Sequence, residues 1–219
     1  MKAVELRDVT KKYGLRTILN KVSFSVEEGE LVALVGPSGC GKSTILNMIG
    51  LLETYDSGEI RIFGKKLPKI ESGSATVMRR NKINYLFQTF ALINDMTVFQ
   101  NLFLAMQFTN KSKKEKIEKI DRVLADVHLL PLKNAVVHTL SGGEQQRTAL
   151  ARTLLKPGNL ILADEPTGSL DIQAAEISFS LIQNLCRTYQ RTVIMVTHNM
   201  ELAQRTDRMI DMRRFSGKE

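Results

Sequence analysis

Residues Leu34 to Thr44, L-V-G-P-S-G-C-G-K-S-T, restrict the fold more than any other stretch, because they join a short apolar strand pattern, Leu31 to Val35, to a helical one. A loop of this kind cradles phosphate. Gly36 and Gly41 let the backbone bend so that its N–H groups point inward, Lys42 adds a positive charge, and the Ser43 hydroxyl suits Mg²⁺. Pro37, Ser38, Gly39, Cys40 and Thr44 complete the candidate cradle. The S-T-I-L-N-M-I-G-L-L run that follows has apolar positions at helical spacing, so a helix N-terminus would face the bound anion. The stretch therefore predicts a nucleotide site.

A chain of 219 residues suits one large domain, or a domain with a subdomain. Its 43% hydrophobic and 25% charged residues are ordinary for a globular protein, and no apolar tract is long enough for a membrane span. The N-terminus lacks the apolar core of a secretion signal and alternates like a strand, with Val4, Leu6 and Val9 as candidate buried positions. We expect a cytoplasmic protein. Cys40 and Cys186 have neither disulfide-framework nor metal-site spacing. The net charge of +8 could suit nucleic acid, an anionic membrane or a nucleotide, and does not choose among them. Lys111 to Lys119 carries i,i+4 ion pairs and no interleaved aromatics, so it reads as a solvated helix face rather than a nucleic-acid patch.

Strand patterns near 3–9, 22–27, 31–35, 58–63, 83–87, 159–164, 191–197 and 207–212 alternate with helical ones near 43–51, 112–129, 142–155 and 173–187. That alternation predicts a layered α/β fold. The early strands read as short and suit a small antiparallel sheet, while 89–140 reads as a helical insertion between parallel strands.

Leu160 to Pro166, L-I-L-A-D-E-P, ends an apolar strand in two carboxylates that face differently if side chains alternate. Asp164 would then hold Mg²⁺ while Glu165 reaches a water in line with the γ-phosphate. Further upstream, Ser141 and Glu144 in L-S-G-G-E-Q-Q-R make a capping box, which explains both residues without a ligand. Gly142 and Gly143 are left over. Two glycines in a first helical turn cost stability and permit close backbone approach, which points to a phosphate at the helix dipole. Since the chain already has a phosphate loop, the second anion site would serve the nucleotide of another copy, in a head-to-tail pair.

Together these motifs resemble the ATP-binding subunit of ABC transporters over almost the whole length. The set is the 36–44 loop, Gln88 in Y-L-F-Q-T-F, L-S-G-G-E at 140–144, L-A-D-E-P at 162–166, S-L-D at 169–171 and His198 in V-T-H-N. The resemblance implies a P-loop NTPase core with a mainly parallel sheet, a small antiparallel subdomain and a helical subdomain. The core would be 1–88 with 141–219, and the helical part 89–140. It further implies that Tyr13, in K-K-Y-G, stacks on adenine, that Gln88 touches Mg²⁺ and the attacking water, that Asp171 crosses a dimer interface, and that His198 contacts the γ-phosphate. Catalysis would thus rest on Glu165, His198, Gln88 and Lys42. Ser43, Gln88 and Asp164 would hold the metal, and Ser141, Gly142, Gly143, Glu144 and Asp171 would touch the nucleotide across the dimer.

The implied activity is ATP hydrolysis with Mg²⁺, driving closure of a homodimer that moves a separate membrane permease from the cytoplasmic face. Q-T-F-A-L at 88–92 with D-E-P-T-G-S-L-D at 164–171 is most similar to the branch serving macrolide, antimicrobial-peptide and lipoprotein-releasing transporters. Three features depart from that branch: Glu144 stands for the usual Gln, Gln100 for the usual Glu, and the chain ends soon after Met212, which suggests no added regulatory domain. A relay that controls a membrane partner activating a cell-wall enzyme has the same residues and stays open. A soluble ABC ATPase acting on ribosomes or DNA ends usually has fused ATPase domains or long heptads, and this chain has one nucleotide site and no sustained heptads.

Overall fold

The computed structural model describes residues 1–168 and 170–215. In chain order the elements are β1 (Lys2–Tyr13), β2 (Arg16–Glu27), β3 (Leu31–Val35), α1 (Lys42–Ile49), β4 (Ser57–Ile62), β5 (Lys65–Lys66), α2 (Gly73–Asn81) and β6 (Ile83–Leu86). There follow α3 (Val98–Ala105), α4 (Lys113–Asp126), α5 (Gly142–Leu155), β7 (Leu160–Asp164), α6 (Ile172–Thr188), β8 (Thr192–Val196), α7 (Met200–Gln204) and β9 (Arg208–Asp211). One sheet has the order β2-β1-β4-β5 and is antiparallel; the other has the order β6-β7-β8-β3-β9 and is parallel.

The parallel sheet explains its own sequence. Every residue of β3 and β8 is buried, as is β7 up to Asp164, because helices and the second sheet cover both faces. Alternation then divides these strands between two cores. Ile161, Ala163, Val193 and Met195 pack with α3, α4, α5 and α6, whereas Leu160, Leu162, Ile194 and Val196 pack with α1 and the antiparallel sheet. Val196 is level with both Leu34 and Asp164, so the carboxyl ends of β3, β8 and β7 form one edge. Ligands of open α/β sheets bind at such an edge.

The first two strands are not short. Each runs to 12 residues, and register shifts at Leu6/Val9 and Val9/Lys11 break the alternation on which the sequence reading relied. Asp8 and Lys21 have φ of 49° at those irregularities, in keeping with bulges that add a residue to one strand. Residues 89–140 contain α3, α4 and short 3₁₀ turns, with an isolated bridge between Thr97 and Val136. α3 was missed from the sequence although Thr97 and Gln100 form a capping box. Gln100 preserves that box, which accounts for a glutamine there. Among the described residues no helix is long and apolar enough to cross a membrane.

Candidate active site

The phosphate loop lies between β3 and α1. Gly36 has φ of 147°, and a Cβ there would lie 2.8 Å from Cys40 Sγ; Gly41 has φ of 91°, and a Cβ would lie 2.6 Å from Leu19 Cδ2. Neither position accepts a side chain without strain. Gly41 is also the N-cap of α1 and offers no side-chain cap, which leaves first-turn N–H groups free for an anion. Lys42 is only 8% exposed, and its Nζ donates to the carbonyls of Gly36 (2.8 Å) and Pro37 (2.9 Å). A buried ammonium on neutral carbonyls is poorly compensated, so phosphate oxygens are better acceptors than those it now has.

Asp164 has the same strand parity as Leu160 and Leu162, whose face packs on α1, and this aims it at the first helical turn. Ser43 Oγ donates to Asp164 Oδ1 at 3.1 Å. Burial raises the Asp164 pKa, and the neighbouring Glu165 adds to that, while the Ser43 hydrogen bond and Lys42 oppose it. A divalent cation would relieve this cost of ionisation. Among the described residues no three His, Cys, Asp or Glu converge on one point. Two adjacent hard oxygens suit Mg²⁺, which keeps waters and substrate phosphates as its other ligands.

Glu165 lies one residue beyond β7 with φ of 44°, so a left-handed turn as well as strand alternation separates the two acids. Its amide donates to Val196 O at 3.0 Å, and its Oε2 lies 3.3 Å from His198 Nδ1. A Cβ on Gly168 would be 3.2 Å from Glu165 Oε2 and 3.4 Å from Gln88 Nε2, so Gln88 and Glu165 converge on that glycine. Sequence reading passed over Gly168, and its only signal is its place in D-E-P-T-G.

Tyr13 ends β1 opposite Arg16, half-exposed, with Lys11 Nζ 4.8 Å from its ring centroid. Its hydroxyl donates to Glu53, a contact that raises the phenol pKa. The residue thus caps a hairpin and also borders a cavity of about 580 Å³, together with Arg16, Lys42, Thr44, Glu165 and His198. Arg16 had no sequence signal of its own.

The remaining candidates stand apart from this cavity. Ser141 caps α5: its amide and Oγ each donate to Glu144 Oε2 at 2.8 Å, and these bonds lower the Glu144 pKa. Gly142 and Gly143 meet nothing in their own chain that would exclude a side chain, since a Cβ would lie 3.7 Å from Leu170 Cδ2 and 3.6 Å from Arg147 Nη1. Asp171 caps α6, its Oδ1 accepting from Ala174 N at 2.8 Å. Ser169 of S-L-D lies outside the described residues.

A glycine loop before a helix, a hydroxyl paired with a carboxylate, and a second acid beside a histidine are the parts of a phosphate-loop nucleotide hydrolase. The profile of ABC transporters matches residues 19–168. The lipoprotein-releasing system ATP-binding protein LolD of Porphyromonas gingivalis is 37% identical over 210 residues, covering 96% of this chain and 96% of that protein. The macrolide export ATP-binding/permease protein MacB of Neisseria meningitidis is 35% identical over 217 residues, covering 97% of this chain but 34% of that longer protein. Among solved structures, the dimeric post-hydrolysis state of the ATP-binding cassette MJ0796 with ADP and Pi superposes with a TM-score of 0.82 at 35% identity, covering 95% and 93% of the two chains. The chain belongs to the ABC transporter family, as one of its ATPase cassettes.

Proposed function

We propose that this chain pairs head-to-tail with a second copy around two ATP molecules with Mg²⁺, and that closure drives a separate membrane permease at the cytoplasmic face. The permease would export or extract peptide, lipoprotein or drug-like substrates, in line with the names of LolD and MacB. The observation that carries this reading is the convergence of Lys42, the Ser43–Asp164 pair and the Glu165–His198 pair at one sheet edge. Gly142 and Gly143, which need no room within their own chain, supply the complementary half.

Lys42 exchanges its two loop carbonyls for phosphate oxygens, and the α1 N-terminus adds its partial positive charge. Ser43, Asp164 and Gln88 would hold the Mg²⁺, which would supply positive charge against the phosphates. Glu165 takes the proton of the attacking water, and His198, beside it, donates to the γ-phosphate. Tyr13 offers its ring to adenine. The partner's Ser141 to Glu144 turn closes over the phosphates, with Asp171 crossing the interface.

A cleft of about 370 Å³ opens beside the Gln88 segment, lined by Tyr85, Phe87, Ile93 and Leu104 with the polar Asn101 and Arg152, and is a place where a permease element could seat. The test is to trap Glu165→Gln with ATP in solubilised native membranes and identify what copurifies. A membrane protein with few spans and a large extracytoplasmic domain supports the exporter reading. Ribosomal or DNA-bound partners without a membrane protein overturn it.

A further inference from the structure

After Gln88 the backbone takes an unusual course. Phe90 and Ala91, consecutive and neither of them glycine, have φ of 60° and 49°. Such a backbone is strained and persists only where its surroundings hold it. The amides of Phe90 and Ala91 bond locally to Phe87 O and Thr89 O, and one side chain from α5 grips both of their carbonyls: Arg152 Nη2 donates to Phe90 O at 2.8 Å, and Nη1 donates to Ala91 O.

The same end of α5 grips β6. Lys156 Nζ donates to Arg79 O at 3.0 Å and Ile83 O at 2.8 Å, and Thr153 Oγ1 reaches Tyr85 O at 3.4 Å. Burial pushes both the Arg152 guanidinium and the Lys156 ammonium below their ordinary pKa values. Neither cation has a carboxylate in ion-pair range among the described residues, so backbone carbonyls are their acceptors. Six residues before Arg152, Gln146 Nε2 donates to the carbonyl of Pro166, the residue after Glu165. α5 therefore touches both the segment that carries Gln88 and the segment that carries Glu165. Its N-cap, Ser141, lies 11 residues before Arg152, about 16 Å along a rigid helix.

We propose that Arg152 is the positioning residue for Gln88: it fixes the left-handed Phe90–Ala91 step to α5, so that the helix end facing the partner's nucleotide and the glutamine facing the chain's own nucleotide move as one body. The inference rests on the reading of Gln88 given under Proposed function. A planar guanidinium is required because two adjacent carbonyls must be held at once. An ammonium can satisfy one of them well.

The test uses the purified chain with Gln88→Ala, Arg152→Met, Arg152→Lys and the double variant Gln88→Ala/Arg152→Met. Arg152→Met should lower kcat by about tenfold, an effect of the size that coupling residues produce, while affinity for ATP stays within about twofold. Hydrogen exchange should quicken at residues 89–92 and remain unchanged in β7 and β8. The double variant should turn over no more slowly than the slower single one, because both act through the same glutamine. Arg152→Lys should fall between wild type and Arg152→Met.

Wild-type turnover by Gln88→Ala would overturn the reading of Gln88 itself, whatever Arg152 does. If Gln88→Ala is impaired, multiplicative effects in the double variant or unchanged exchange at 89–92 would overturn the positioning role of Arg152. Should Arg152→Met fail to fold, the same cycle with Arg152→Lys decides the question by the same criteria.

Discussion

Glu165 Oε2 lies 3.3 Å from His198 Nδ1, and the two residues come from the carboxyl ends of neighbouring parallel strands. The pair exists because Glu165 takes a left-handed backbone, with its amide bonded to Val196 O, two residues before His198. If Glu165 acts as the proposed base, its carboxylate is already held beside the phosphate loop without rearrangement of the sheet.

Replacing Glu165 by Gln keeps the shape and removes the carboxylate proposed as the base. Turnover should fall by about 10²–10⁴-fold, while ATP binding survives and a closed dimer accumulates. Phosphate release and size-exclusion chromatography measure both effects, and wild-type turnover would eliminate Glu165 as general base.

Gly142→Ala and Gly143→Ala separate folding from pairing. Each adds a Cβ that makes only ordinary contacts within its own chain, in the first turn of α5, where alanine loses less conformational freedom on folding than glycine. The monomer should melt no lower than wild type, yet in the Glu165→Gln background the ATP-dependent dimer should be lost. Dimer formation at wild-type ATP concentrations would contradict the head-to-tail arrangement.

Asp164→Asn should make the nucleotide-free protein more stable at neutral pH. The folded-state pKa of Asp164 is raised, chiefly by burial, so between its unfolded value and that raised value the native state binds the extra proton and stability falls as pH rises. Above the raised value the ionised aspartate is a constant cost, which asparagine removes. Melting temperatures across pH should show the variant ahead at neutral pH and level with wild type below the ordinary aspartate value, while Mg²⁺ with ATP stabilises only wild type. A variant that melts lower at neutral pH would show that burial does not dominate there.

Phe179 is fully buried in the core shared by α5 and α6, and Arg205 lies 4.9 Å over its ring. Phe179→Ala should cost about 3–5 kcal/mol from lost transfer and the cavity left behind. Urea unfolding measures this loss, and a change under about 1 kcal/mol would mean that the helices collapse into the space.

Much of the candidate site was legible because its residues are local in sequence. The loop at 36–44 and the acids at 164 and 165 each occupy one short segment whose residue types have a single economical use. What was not legible depends on distant pairing. Nothing near Gly168 announces that Gln88 and Glu165 converge on it, since those residues are 77 positions apart in sequence. The lengths of β1 and β2 escaped because bulges shift the two-residue period on which strand recognition depends. Helix α7, at five residues, is too short for its 3.6-residue period to show.

The alternating division of β7 makes the sheet a common wall. A substitution at Ile161 disturbs the helical side and one at Leu162 the side of the antiparallel strands, yet the two are neighbours on a strand that ends in Asp164. The nucleotide edge therefore has no sheltered side. The helices on one face and the phosphate loop, through Ser43 and Asp164, on the other meet at the same plank of five residues.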